Sequence, residues 1–323
     1  MSTAKKIVWI DDNPKRETTA QDLKAEFINV RNGNLEDAVK NLLEGNQPRL
    51  VILDHILDKT ATENPVFKRG STIAEAIKEQ WPSCPVIGVT NLNNIDDIDQ
   101  RTRETYDELF PFHNFREYLD RIDSIEKGFS FIAKQSPSKM TDVIKLLKPP
   151  EEELDRLVAA LPDGLKEPAL DASVGSRLYR WVDHLMKRPG FLYDRLWAAT
   201  LLGLNESGFI KVEEQFKKGK YTGVFSVGSD PRWWSRRLTA LLYEMCPAEP
   251  GEFSWQTGRR LDGITRRFYS RCYRCDSDSP PETVAYLDSE SDEQQPMHLE
   301  CTVLHPGYKR ELYFEDVRMM KDE

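Results

Sequence analysis

Cysteine and histidine are scarce in this chain, five of each among 323 residues. So few cysteines, and an odd number, exclude a disulfide framework and fit a reducing compartment, so the expected location is cytoplasmic. No apolar run reaches the length of a membrane span. The amino terminus, MSTAKKIVWIDD, lacks the apolar core of a signal peptide. A Gly-rich P-loop, a Gly-x-Ser-x-Gly elbow and a His-Glu-x-x-His pair are all missing, and no enzyme activity is expected. Positive charge is in deficit, 45 basic residues against 54 acidic for a net −9. That excludes a wholly nucleic-acid-adhesive surface but leaves room for local basic patches. Aromatics are plentiful (14 Phe, 11 Tyr and 7 Trp), which excludes wholesale disorder. A chain of this length is expected to form two domains.

Residues 1–135 alternate between short apolar runs and helical patterns. Ile7 to Ile10 ends at Asp11-Asp12, Leu50 to Leu53 ends at Asp54, and Pro85 to Val89 ends at Thr90. Runs of this kind suit strands buried on both faces of a parallel sheet. A weaker strand is expected near Phe27 to Val30, and helices over Lys15 to Glu26, Leu35 to Leu43 and Thr72 to Gln80. The order predicts a doubly wound α/β fold, whose function gathers at the carboxyl ends of its strands. Asp11, Asp12, Asp54 and Thr90 all fall there. Carboxylates converging on one crevice repel one another without a cation, and their hard oxygens suit Mg2+.

On the segments IVWIDDN, LVILDHILD and PVIGVTN and the triplet Phe110-Pro111-Phe112, the sequence resembles the receiver domain of bacterial response regulators over about 1–130. The resemblance implies a five-stranded, flavodoxin-like parallel sheet and a signal-transduction role. It implies Asp54 as phosphoacceptor, Asp11, Asp12 and Asp54 as Mg2+ ligands, and Thr90 as the switch hydroxyl. A histidine kinase would be the partner in phosphotransfer, and the bond before Pro111 is often cis in this family. One departure is chemical: the lysine expected just before that proline is Phe110, and an aromatic ring cannot replace its charge. A second is the longer stretch from Lys59 to Arg69, in which Lys59, Lys68 or Arg69 could supply a cation. Asp58 stands where many receivers have proline.

The rest is not recognised. Residues 136–150 read as a linker, and 151–323 as a mainly helical output domain with a small carboxyl-terminal β segment resembling a zinc ribbon. Helical periodicity covers Val174 to Met186, Phe191 to Leu202 and Pro231 to Met245; Leu196 to Lys217 loosely fits a helix-turn-helix, with Ser207 as its cap. From Pro231 to Cys275 stand nine Arg, no Lys and four acids. Arg232, Trp233, Arg236, Arg259, Arg266 and Arg271 are candidates for binding a partner protein. The alternative is nucleic acid, with arginines on phosphates and Trp233 or Tyr269 stacking on bases. The acid-rich stretch Asp276 to Glu293 reads as a loop. Around it, within 268–310, Cys272-x-x-Cys275 and His298-x-x-Cys301 have the spacing of a tetrahedral zinc site, with His305 as an alternative to His298.

Overall fold

The computed structural model describes residues 6–31, 35–57, 69–92, 94–170, 172–227, 230–277 and 279–321. Asp58, Lys59 and Lys68 lie outside these residues. The apolar runs form β1 (Ile7–Asp11), β2 (Glu26–Asn29), β3 (Leu50–Asp54), β4 (Val86–Thr90) and β5 (Glu108–Pro111). They make one parallel sheet in the order β2-β1-β3-β4-β5, the flavodoxin-like order of doubly wound folds. Register pairs Ile10 with Leu53, Asp54 with Val89 and Thr90 with Pro111, so the carboxyl ends of β1, β3 and β4 lie level. Every residue of β1, β3 and β4 is buried, which explains their lack of polar alternation.

The helices of this part are α1 (Glu17–Asp22), α2 (Leu35–Glu44), α3 (Gly70–Gln80), α4 (Gln100–Arg103) and α5 (Leu119–Gln135). Val8, Ile10, Val51 and Leu53 pack with Leu35, Val39, Ile73 and Ile77 of α2 and α3 in one core cluster. α1 is shorter than its sequence pattern suggests. Pro14–Arg16 forms a tight 3-10 turn instead, with Asn13 Oδ1 accepting from the Lys15 N–H at 3.2 Å. At the other end Lys24 takes a left-handed conformation, φ 52°, and stops the helix. Phe112–Tyr118, which includes Phe115, forms a 3-10 segment, and α5 follows from Leu119.

Further along lie α6 (Met140–Leu147), α7 (Glu151–Ala160), α8 (Asp163–Lys166), α9 (Val174–Lys187), β6 (Leu192–Tyr193), α10 (Arg195–Leu201), α11 (Glu206–Val212), β7 (Trp233–Trp234), α12 (Ser235–Met245), α13 (Ser254–Gly258), β8 (Thr283–Tyr286), β9 (Gln294–Met297), β10 (Thr302–Leu304) and β11 (Arg318–Met320). The last four make a small sheet in the order β10-β11-β8-β9. The chain divides into two compact units, 1–143 with 163–180 and 227–229, and 144–162 with 181–226 and 230–323. This differs from the boundary expected at 135. The stretch 136–150 contains helix α6, and 163–180 joins the first unit because the Tyr179 ring packs 6.2 Å from Phe129 and its hydroxyl donates to Glu108. The acidic stretch also differs from expectation, since Thr283–Tyr286 is strand β8, paired to β9. Among the described residues, no helix is long and apolar enough to cross a membrane.

Candidate functional site

β1, β3 and β4 deliver Asp11, Asp54 and Thr90 to one edge of the sheet, and Asp12 follows β1. A crevice of about 240 Å³ opens there, lined by Asp12, Asn13, Asp54, Ile56, Thr90, Asn91 and Leu92. Carboxylate oxygens of Asp11, Asp12 and Asp54 lie within 4.8 Å of one another, and all three residues are buried. Thr90 Oγ1 accepts from the Leu92 N–H at 3.2 Å, which fixes the hydroxyl at the crevice wall.

Sequence reasoning missed the group that holds this cluster together. Arg16, with 0% of its surface exposed, donates from one terminal nitrogen to Asp11 Oδ2 at 2.6 Å and to Asp54 Oδ1 at 3.0 Å. Its other terminal nitrogen donates to Asn91 Oδ1 at 2.7 Å. Its guanidinium lies over the Phe112 ring, 4.4 Å from the centroid, a cation–π arrangement. The Asn13-Pro14 turn is what aims Arg16 back across the end of β1. A cation a few residues beyond an acidic pair, in a sequence whose lysine is absent, was the available signal.

The place of that lysine is filled by packing. Phe110 is buried, stacks on Tyr118 at 4.4 Å between centroids and meets Phe115 at 6.4 Å. No peptide bond among the described residues is cis, including the one before Pro111. Arg69 is exposed and is not among the crevice-lining residues. Tyr106, also missed, is buried under the site with its hydroxyl 3.3 Å from His55 Nδ1. Gly70 begins α3 against Asp54: a Cβ there would sit 2.2 Å from the Asp54 carbonyl oxygen.

Burial pushes the Asp54 carboxyl up to about 7, and the neighbouring Asp11 charge adds to this while Arg16 opposes it. Asp11 is raised too, by burial, against the opposing pull of Arg16 and the Asn13 N–H. Burial also lowers His55, with the Arg69 charge adding to that shift. At neutral pH the crevice therefore holds fewer negative charges than its three carboxylates suggest.

A second cluster lies in the other unit. Ligand atoms of Cys272, Cys275, His298 and Cys301 lie within 4.8 Å of one another. Cys275 Sγ is 3.3 Å from His298 Nδ1, and the His298 N–H donates to Cys272 Sγ at 3.4 Å. The remaining ring nitrogen, Nε2, lies 3.0 Å from the Ser279 carbonyl oxygen. That contact fixes ring and tautomer, as the outer partners of metal-binding histidines do. Burial raises the Cys272 thiol, but backbone N–H groups of Cys275, His298 and Arg274 outweigh it and hold it at about 7. Burial and the neighbouring sulfurs push Cys301 up to about 11. Three sulfurs and one imidazole at this separation are a donor set that fits zinc. His305 is not part of the cluster; its Nδ1 lies 2.9 Å from the Pro306 carbonyl oxygen.

The arginine-rich candidates divide. Trp233, wholly buried, packs edge-on to Phe209 at 5.0 Å in a core with Trp197, Leu238 and Leu242, so it presents no ring face to a ligand. Arg232 donates to the Met186 carbonyl at 3.1 Å, and Arg259 donates to the carbonyls of Gly203 at 3.2 Å and Ser270 at 2.9 Å while lying over Tyr269. These two arginines hold loops. Arg236, Arg266 and Arg271 are exposed, and Arg271 pairs with Asp276 at 3.3 Å. In the helix-turn-helix candidate the cap of α11 is Asn205, not Ser207: Asn205 Oδ1 accepts from the Gly208 N–H at 2.8 Å.

Several solved structures similar to this chain are response-regulator proteins. One is TrrA from Thermotoga maritima in complex with Mg2+ and BeF, 24% identical, the match covering 37% of this chain and 96% of that one, TM-score 0.29. Another is a response regulator from Burkholderia pseudomallei with a phosphorylated aspartic acid, 16% identical, covering 44% and 83%, TM-score 0.28. A third is NtrX from Brucella abortus, 21% identical, covering 57% of this chain and 30% of that one, TM-score 0.27. No family model and no curated protein matches the chain. The amino-terminal five-stranded parallel sheet fits the receiver fold through its own strand order.

Proposed function

We propose that this protein is a signal-transduction regulator whose receiver-type module takes a phosphoryl group on Asp54. The observation that carries this is the meeting of Asp12, Asp54 and Thr90 around one small crevice at the carboxyl edge of the sheet. The ionised carboxylate of Asp54 would attack the phosphorus of a phosphodonor. The bond from phosphorus to the leaving atom (imidazole nitrogen of a phosphohistidine, or acyl oxygen of acetyl phosphate) breaks, the donor fragment departs with that electron pair, and Asp54 becomes an acyl phosphate. Arg16, 3.0 Å from Asp54 Oδ1, would supply the positive charge beside the phosphorylated carboxylate in place of the absent lysine. Thr90 is the switch hydroxyl of this reading, and a histidine kinase is the class of donor partner it calls for.

The output would lie in the second unit, in binding a partner protein. Zinc held by Cys272, Cys275, His298 and Cys301 would tie the Cys272–Cys275 turn to the end of β9 and so set the shape of the small sheet. What supports protein over nucleic acid is the burial of Trp233, which removes it as a base-stacking platform, and the use of Arg232 and Arg259 on backbone carbonyls.

Peptide mass spectrometry after incubation with acetyl phosphate tests the first claim. A labile phosphoryl adduct on Asp54, absent from Asp54→Asn, is the expected result; a native chain that stays unmodified overturns the reading.

A further inference from the structure

We infer that Arg16 is the built-in cation of the Asp11–Asp12–Asp54 crevice, and that the crevice works without Mg2+. The inference takes from the proposed function only the view that Asp54 is the working carboxylate; its geometry stands alone.

Mg2+ requires near-octahedral oxygen ligands at about 2.0–2.1 Å and gives up its water reluctantly. Here the oxygens that face one another across β1 and β3 are already spoken for. One Arg16 nitrogen lies 2.6 Å from Asp11 Oδ2 and 3.0 Å from Asp54 Oδ1, so it stands where an ion bridging Asp11 and Asp54 would stand, and of the three carboxylates leaves only Asp12 and the second Asp54 oxygen facing the crevice. Asp11 Oδ2 also accepts from Trp9 Nε1 at 3.1 Å, and Asp11 Oδ1 accepts from the Asn13 N–H at 2.8 Å. Both oxygens of the central carboxylate therefore point at N–H donors. An ion entering the crevice would have to strip those donors away or do without Asp11.

Nor is Arg16 free to step aside. Asn91 holds its second nitrogen, Phe112 covers its face, and the whole side chain is buried. Moving it out would leave its contacts with Asp11, Asp54, Asn91 and Phe112 unmade. The same arrangement accounts for Phe110. A cation delivered from the turn after β1 leaves no electrostatic work for a lysine at the end of β5, and that position is given over to aromatic packing with Tyr118 and Phe115.

Isothermal titration calorimetry of the full chain with MgCl2 tests this, because a hard ion has little affinity for the cysteine cluster. The native protein should show no Mg2+ binding in the millimolar range. Arg16→Gln, which removes the internal charge but leaves the carboxylates, should bind Mg2+ at least about tenfold more tightly than the native chain, and adding Asp54→Asn should abolish that gain. If Arg16→Gln does not fold, the same comparison is made in an Asp11→Asn background, where one of the buried charges that Arg16 offsets is gone. Mg2+ binding to the native chain that disappears in Asp54→Asn overturns the inference, as does an Arg16 variant that remains indifferent to Mg2+. The readout is binding alone, so a failure of phosphorylation would not be mistaken for a failure here.

Discussion

One guanidinium, that of Arg16, touches Asp11, Asp54, Asn91 and Phe112 at once. Breaking a buried ion pair by deleting one partner strands the other, which typically costs about 3–5 kcal/mol. Arg16→Met should lower stability by that order in urea denaturation. Asp54 makes a second residue-scale prediction. Its carboxyl is raised by burial to about 7, and only the ionised form is a nucleophile. Labelling by acetyl phosphate should therefore climb as pH rises through about 7 and fall away in more acid buffer. The effect on folding runs the other way. Because the folded value exceeds the ordinary 3.8, the contribution of protonated Asp54 to stability is complete below 3.8 and is lost as pH rises through about 7. A pH series of melting temperatures, native against Asp54→Asn, reads it.

At the scale of elements, the Cys272–Cys275–His298–Cys301 cluster and the aromatic core of the second unit are held by different forces. The cluster joins a turn to a strand end where β9 and its neighbours offer few apolar residues: Cys272, Ala285 and Met297 are the buried residues of that small core. Structural zinc in such a setting contributes directly to folding. Metal analysis should find zinc stoichiometric with the chain and missing from Cys272→Ser, and chelation should cost circular-dichroism signal from the β8–β11 sheet. The core around Trp233 carries its own weight. Trp233→Ala should destabilise by about 3–5 kcal/mol, while exposed Arg236→Ala should stay within about 0.5 kcal/mol on unfolding. The sequence showed these two as one Arg-Trp-Trp-Ser-Arg pattern, because linear order does not say which side chains turn inward. The same limit hid β8, whose four residues are embedded among acids, and α6, which lies between prolines.

Over the whole chain, what was legible was the work of regular patterns. Doubly buried runs ending in Asp or Thr gave the parallel sheet and the end at which Asp11, Asp12 and Asp54 meet, and ligand spacing gave the converging cysteines while leaving His298 and His305 open. Arg16 left only the faint signal of a cation after an acidic pair, and Asn91 and Tyr106 left none, since their places follow from a turn or from contacts across the sheet. The two-unit division was hidden for a similar reason: 163–180 returns to the first unit through contacts of Tyr179 distant in sequence. The central claim is that Asp54 accepts a phosphoryl group with Arg16, not a metal ion, as its counter-charge. Its most direct measurement is mass spectrometry of the full chain after acetyl phosphate, run with and without Mg2+ and repeated on Asp54→Asn. The account expects an adduct on Asp54 in both buffers and none on the variant. An unmodified native chain, or an adduct that forms only with Mg2+, would contradict it.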